Sequence, residues 1–180
     1  DAARKILQSA LDLPLNMYQQ ADVKMELGDI LLYEERFNQA LIYYSQIEED
    51  LKNDEVGHEA SLKAAKTSYF KTDFEWAQKQ FKELKSASSQ LIANDALEYF
   101  LLINDNTVSD STQTDLKRFA RADYLLYQHK TAESLAAFQQ ILKDHKTQEI
   151  EDVTLLRIGR VYEKTGDYTA ALQQYQTIID

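Results

Sequence analysis

A chain of 180 residues that is 44% hydrophobic and 28% charged can bury a core as one domain or one compact array. Thirty Asp and Glu against 20 Lys and Arg leave a formal charge of −10, which repels phosphate backbones and anionic lipid and argues against a nucleic-acid partner. Zero Cys removes disulfides, thiolate zinc sites and thiol nucleophiles, and no apolar run reaches the ~18 residues of a membrane span.

Four Gly and one Pro point to long helices joined by short turns, an all-α chain. In chain order, residues 2–12 carry Ala3, Leu7 and Ala10 in a helical stripe with nothing before it to pack against. Helix pairs are expected at about 15–52 and 55–85, an extra helix at 88–105, and further pairs at 115–145 and 149–179. Within the extra helix, Ala96 to Ile103 is apolar apart from Glu98, which suits burial on more than one side. Asn104 to Thr114 is polar and reads as a loop that ends in a helix cap near Thr112. The chain begins without Met or a basic-then-apolar leader and stops on Ile178, Ile179 and Asp180 without a helix stop signal, the pattern expected of a fragment.

The pairs share one internal pattern. Small residues Gly28, Ala65, Ala122 and Gly159 are each followed twelve residues later by another, Ala40, Ala77, Ser134 and Ala171. Four further on stands an aromatic, Tyr44, Phe81, Phe138 or Tyr175, and three beyond it an aliphatic, Ile47, Leu84, Ile141 or Ile178. Phe37, Phe74, Thr131 and Tyr168 precede the second small residue by three. Small residues mark close approach of two helix axes, and the aromatic one turn on fills the space between them. Breakers separate the two helices of each pair: Glu34 to Arg36, Thr72-Asp73, His129 to Thr131, and Thr165-Gly166-Asp167. Gly166 suits a helix C′ position, and Asp73, Thr131 and Asp167 suit caps. The spacing is 37 residues from Gly28 to Ala65 and from Ala122 to Gly159, but 57 from Ala65 to Ala122. The insertion is therefore expected to break the array into a 1–85 part and a 115–180 part.

This pattern resembles the tetratricopeptide repeat family, whose repeat is about 34 residues. The best matches are Leu27, Gly28, Leu31, Ala40 and Tyr44 in the first unit and Ile158, Gly159, Tyr162, Ala171 and Tyr175 in the last. The family's early Trp is replaced by Lys24, Ser61, Arg118 and Leu155, and its closing Pro is missing from all four. The resemblance implies one superhelical solenoid of antiparallel helix pairs over 1–180. It also implies a concave face, lined by the first helix of each pair, that binds a protein or peptide segment. On this chain that face is Asp22, Met25, Asp29, Leu32 and Tyr33, then Glu59, Leu62, Lys66, Tyr69 and Phe70. The third pair adds Leu116, Phe119, Asp123, Leu126 and Tyr127, and the fourth Val153, Leu156, Arg160 and Lys164. Tyr33, Lys66, Tyr69, Phe70, Tyr127 and Arg160 are the candidate groove residues, since Tyr joins a rigid ring to a hydrogen-bonding tip. The alternative packs these rings against the neighbouring repeat.

Members that hold the C-terminal carboxylates of heat-shock chaperones use Lys, Asn and Arg in this face. Met25 and Asp29 stand in two of those places, and an acid there repels a carboxylate. Catalysis has no support: His58, His129 and His145 fall at unrelated repeat positions. The acidic group Glu48, Glu49, Asp50, Asp54 and Glu55 reads as a solvated helix end. Asn104, Asp105, Asn106 and Asp110 lack the Gly and terminal Glu of a calcium loop. No cofactor is implied. Glu48–Lys52, Glu59–Lys63 and Glu75–Lys79 are i, i+4 pairs in the favourable order. The alternative function is a structural spacer, or a segment that self-associates through exposed ends. The Tyr- and Gln-rich texture is similar to large repeat proteins of Bacteroidetes-type bacteria, several of them exported. That likeness leaves the compartment open between cytoplasm and periplasm.

Overall fold

The computed structural model describes residues 2–86, 89–107, 112–144 and 148–179. Among them are ten helices and no strand: α1 (Ala2–Ala10), α2 (Met17–Tyr33), α3 (Phe37–Asp50), α4 (Glu55–Phe70), α5 (Phe74–Leu84), α6 (Gln90–Thr107), α7 (Thr114–Tyr127), α8 (Thr131–Asp144), α9 (Gln148–Thr165) and α10 (Tyr168–Ile179). The chain divides into two compact units, residues 1–101 and 102–180, and the division falls inside α6, the extra helix of the sequence pattern.

Each helix pair is built on the small-to-aromatic rule. Ala40, Ala77, Ser134 and Ala171 are all buried, as are Tyr44, Phe81 and Phe138. Ser134 also spends its hydroxyl on the Ala122 carbonyl at 2.8 Å, so the one polar residue at this position is satisfied. In the first unit Ala21, Ile47, Leu51 and Ala60 form a buried cluster that ties α2, α3 and α4 together. The first and second pairs thus share one core.

The turn inside each pair is the same object four times. Glu35, Thr72, His129 and Gly166 all take positive φ, between 61° and 83°. The residue after each donates its N–H back five positions: Arg36 to Leu31, Asp73 to Ser68, Lys130 to Leu125 and Asp167 to Tyr162. This is the Schellman closure, which satisfies the carbonyls left open at a helix end. Only Gly166 holds the left-handed conformation without a side-chain penalty.

The caps differ in part from expectation. Asn16 opens α2 with a capping box to Gln19, Asp54 caps α4 through the Val56 N–H, and the Asp167 carboxylate accepts from the Ala170 N–H. Asp73 precedes α5 but makes no side-chain cap bond. Thr131 is already inside α8. The residue before α7 is Gln113, in a left-handed conformation with no side-chain cap, rather than Thr112. Asn104 to Thr107, expected as loop, continue α6. Their polarity does not stop the helix because the Asn106 amide turns back onto the Leu102 carbonyl at 2.8 Å. Ser88, Asp110 and His145 lie outside the described residues.

Candidate functional site

In residues 1–101 the first-helix face is carried by α2 and α4. Tyr33, the last residue of α2, is 49% exposed. Asp29 pairs with Lys63 at 2.5 Å and accepts the Tyr44 hydroxyl at 2.6 Å. Lys63 also lies 3.9 Å from Glu59. Lys66 is half-buried, pairs with Asp95 of α6 at 2.8 Å and sits over the Tyr99 ring. Near-neutral charge rows of this kind leave a polar face beside the exposed ring of Tyr33.

Two residues expected on this face belong to the core. Tyr69 is fully buried and Phe70 is buried beside it. The Tyr69 ring meets Phe70 at 5.5 Å, Phe74 at 5.8 Å and Tyr99 edge-on at 5.0 Å. The physical reason is α6: Tyr99 stacks on Phe81 at 5.1 Å and closes the volume that Tyr69 would otherwise open to solvent. Tyr69 thus packs against α6, the inserted helix, rather than against a neighbouring repeat.

In residues 102–180 Tyr127 is half-buried and stacks on Tyr124 at 6.0 Å. Arg160 is exposed and Leu156 is partly so. Leu116, Phe119 and Asp123 are buried rather than lining a surface. Asp123 pairs with Arg157 at 3.1 Å, and the Arg157 guanidinium lies 5.9 Å over the Phe119 ring.

One rule connects these pairs, and it lies outside the local spacing read from the sequence. The residue after the small first-helix residue is Asp29, Lys66, Asp123 and Arg160. The first three of these each pair with an opposite charge on the next first-type helix: Lys63, Asp95 and Arg157. The only sequence signal is the 34-residue spacing common to Asp29–Lys63 and Asp123–Arg157.

Among the described residues no three His, Asp or Glu converge to hold a metal ion. No helix there is long and apolar enough to cross a membrane. A cleft of about 400 Å³ between α1, α2 and α3 is lined by Arg4 and Arg36, both directed at Glu34, at 2.6 and 3.6 Å. It holds no nucleophile beside a base. The perturbed groups are structural. A hydrogen bond to Asp54 raises Tyr18, burial and then Glu163 raise Tyr175, and the hydrogen bond from Lys79 lowers Glu75. Glu75–Lys79 is the expected i, i+4 pair at 2.7 Å, whereas Lys52 lies past the end of α3.

Residues 119–180, about a third of the chain, match the family model of the tetratricopeptide repeat. No match is found among curated proteins.

Proposed function

We propose that the chain, whose residues 119–180 match the tetratricopeptide repeat, a non-enzymatic repeat whose modules generally mediate protein–protein interaction, is a scaffold holding an extended or helical segment of a partner protein on its first-helix faces. The observation that carries this reading is Tyr33, a large ring half open to solvent at the end of α2, on the same helix as the Asp29–Lys63 pair. A rigid aromatic next to matched charges gives apolar contact and hydrogen bonding in one place. Lys66 lies half-buried on α4, and Tyr127 offers a half-exposed ring in the second unit. The partner is expected to carry an apolar anchor for Tyr33, flanked by polar groups that exchange with the ion pairs.

The test is site-specific photocrosslinking in cells of the source organism. Benzoylphenylalanine is placed at Tyr33, or at Trp76, which is 55% exposed on the second helix of its pair. A protein captured from position 33 and not from 76, and lost when Lys66→Glu is added, supports the reading. Capture from 76 alone, or from neither position, overturns it.

A further inference from the structure

Three acids on the first-helix face of residues 1–101, Asp22, Glu26 and Glu59, stand where the repeat itself requires no acid. Gly28 and Ala122 are 94 residues apart, as are Ala65 and Gly159, and at that offset the three acids become Leu116, Ala120 and Val153. All three lie past the first turn of their helices, beyond the reach of the N-terminal dipole. Asp22 and Glu26 are exposed, and neither forms an ion pair among the described residues. Glu59 lies 3.9 Å from Lys63, whose nearer carboxylate is Asp29.

The openness of Glu59 is a property of the face itself. Its helix α4 is linked to α2 on one side by Asp29–Lys63 and to α6 on the other by Lys66–Asp95. Between these neighbours Glu59 keeps 55% of its side chain in solvent. The face is also graded along its length. Asp22, Glu26, Asp29 and Tyr33 follow at i, i+4, i+7 and i+11, one stripe of α2. The acids come first and the half-exposed ring of Tyr33 comes last. The 11 residues from Asp22 to Tyr33 span about 16 Å of helix. Further along α4 the charges are matched, Lys63 by Asp29 and Lys66 by Asp95. The surplus charge is therefore negative and confined to one end.

We infer that the Asp22–Glu59 end of this face receives a Lys or Arg of the partner segment whose apolar residue meets Tyr33. The inference rests on the reading that this face holds a partner, and adds the sign and the spacing that the partner must carry. A basic residue stands about 16 Å from the apolar anchor, which is about five residues of extended chain or about 11 of helix. Charge at one end and an aromatic at the other also fix the direction in which the segment lies.

The probes are fluorescent peptides with a Phe-Leu anchor and a Lys pair at either spacing, and matching peptides with a Glu pair instead. Their anisotropy is titrated with the full chain. Saturable binding of a Lys peptide is expected at one spacing, about tenfold tighter than that of its Glu counterpart. Asp22→Lys with Glu59→Lys should weaken it about threefold to tenfold. The milder Asp22→Asn with Glu59→Gln should act in the same direction, with helicity unchanged by circular dichroism. Glu49→Lys with Glu83→Lys makes the same change of net charge at exposed sites on second helices and should leave binding almost unaltered. Equal losses in the two Lys double variants would show attraction to net charge alone and overturn the inference. So would binding that does not prefer Lys over Glu, or the absence of saturable binding by any peptide up to millimolar protein. Crosslinking from position 33 in cells keeps the two readings apart. Continued capture there with no preference for Lys removes the basic partner and leaves the scaffold, whereas the absence of capture removes the scaffold reading itself.

Discussion

The ring of Tyr44 fills the space that a side chain on Gly28 would need. A Cβ there would stand 2.5 Å from Tyr44 Cε1, too close for any real contact. The ring cannot retreat freely, because its hydroxyl is held by Asp29 at 2.6 Å. Gly159 faces Tyr175 in the same way, and the Tyr175 hydroxyl is held by Glu163 at 2.9 Å. Where the aromatic is Phe, at Phe81 and Phe138, the small residue is Ala, at Ala65 and Ala122. The residue type in one helix is therefore chosen by whether the facing ring is tethered.

Gly28→Ala is accordingly expected to cost about 1–3 kcal/mol through overpacking. Tyr44→Phe alone should cost about 1–2 kcal/mol for the lost bond to a carboxylate. The double variant recreates the Ala–Phe combination of the second and third pairs. It should be less destabilised than the sum of the two by about 1 kcal/mol. Urea melts of the four species measure this coupling, and strict additivity would refute the tether.

The four left-handed turn residues make a second prediction. Thr72 is β-branched and holds φ at 67°, a conformation that costs an L-residue about 1–2 kcal/mol and that glycine adopts freely. Thr72→Gly should therefore stabilise the chain, by somewhat less than that because glycine also loosens the unfolded state. Gly166→Ala should do the reverse by about 1 kcal/mol, although a Cβ there would meet nothing within 4 Å. Opposite signs from two exchanges at one repeat position, read as midpoints of denaturation, isolate the backbone term from packing.

How much of this was readable in the sequence follows from the range of the interactions. The helix pairs were readable because a small residue, its aromatic and the turn between them lie within about half a repeat, so the signal is local and recurs four times. Tyr69 was not, since its burial depends on Tyr99, which lies in a helix outside the repeat pattern. Likewise Lys63 has a local acid at Glu59, yet the nearer carboxylate is Asp29, 34 residues away. Composition misplaced the end of α6 for a third reason: Asn104 to Thr107 are polar, but Asn106 bonds its own helix and stops nothing.

Two ion pairs at one repeat position should differ because their burial differs. Asp123 is 4% exposed where it meets Arg157, and Asp29 is 33% exposed where it meets Lys63. Arg157→Met takes the guanidinium away from a buried carboxylate and should cost about 2–4 kcal/mol. Lys63→Met leaves Asp29 partly solvated and still bonded to Tyr44, so its cost should be about 0–1 kcal/mol. Equal losses in chemical denaturation would show that burial does not set the strength of these links.

Two tyrosines should titrate late, for different reasons. Tyr18 is raised chiefly by its hydrogen bond to Asp54, at 2.9 Å, and by that carboxylate's charge. Tyr175 is raised first by burial and only then by Glu163. Each is an acid favoured in its neutral form by the fold. The stability it adds is therefore complete below the ordinary tyrosine value and is lost as pH rises through the raised one. Asp54→Asn should return Tyr18 close to an ordinary tyrosine, because it removes the two largest causes together. Glu163→Gln should return Tyr175 only part of the way, since burial remains. Ring-carbon NMR across the alkaline range resolves the two residues, and a full return of Tyr175 in Glu163→Gln would show that charge rather than burial holds it.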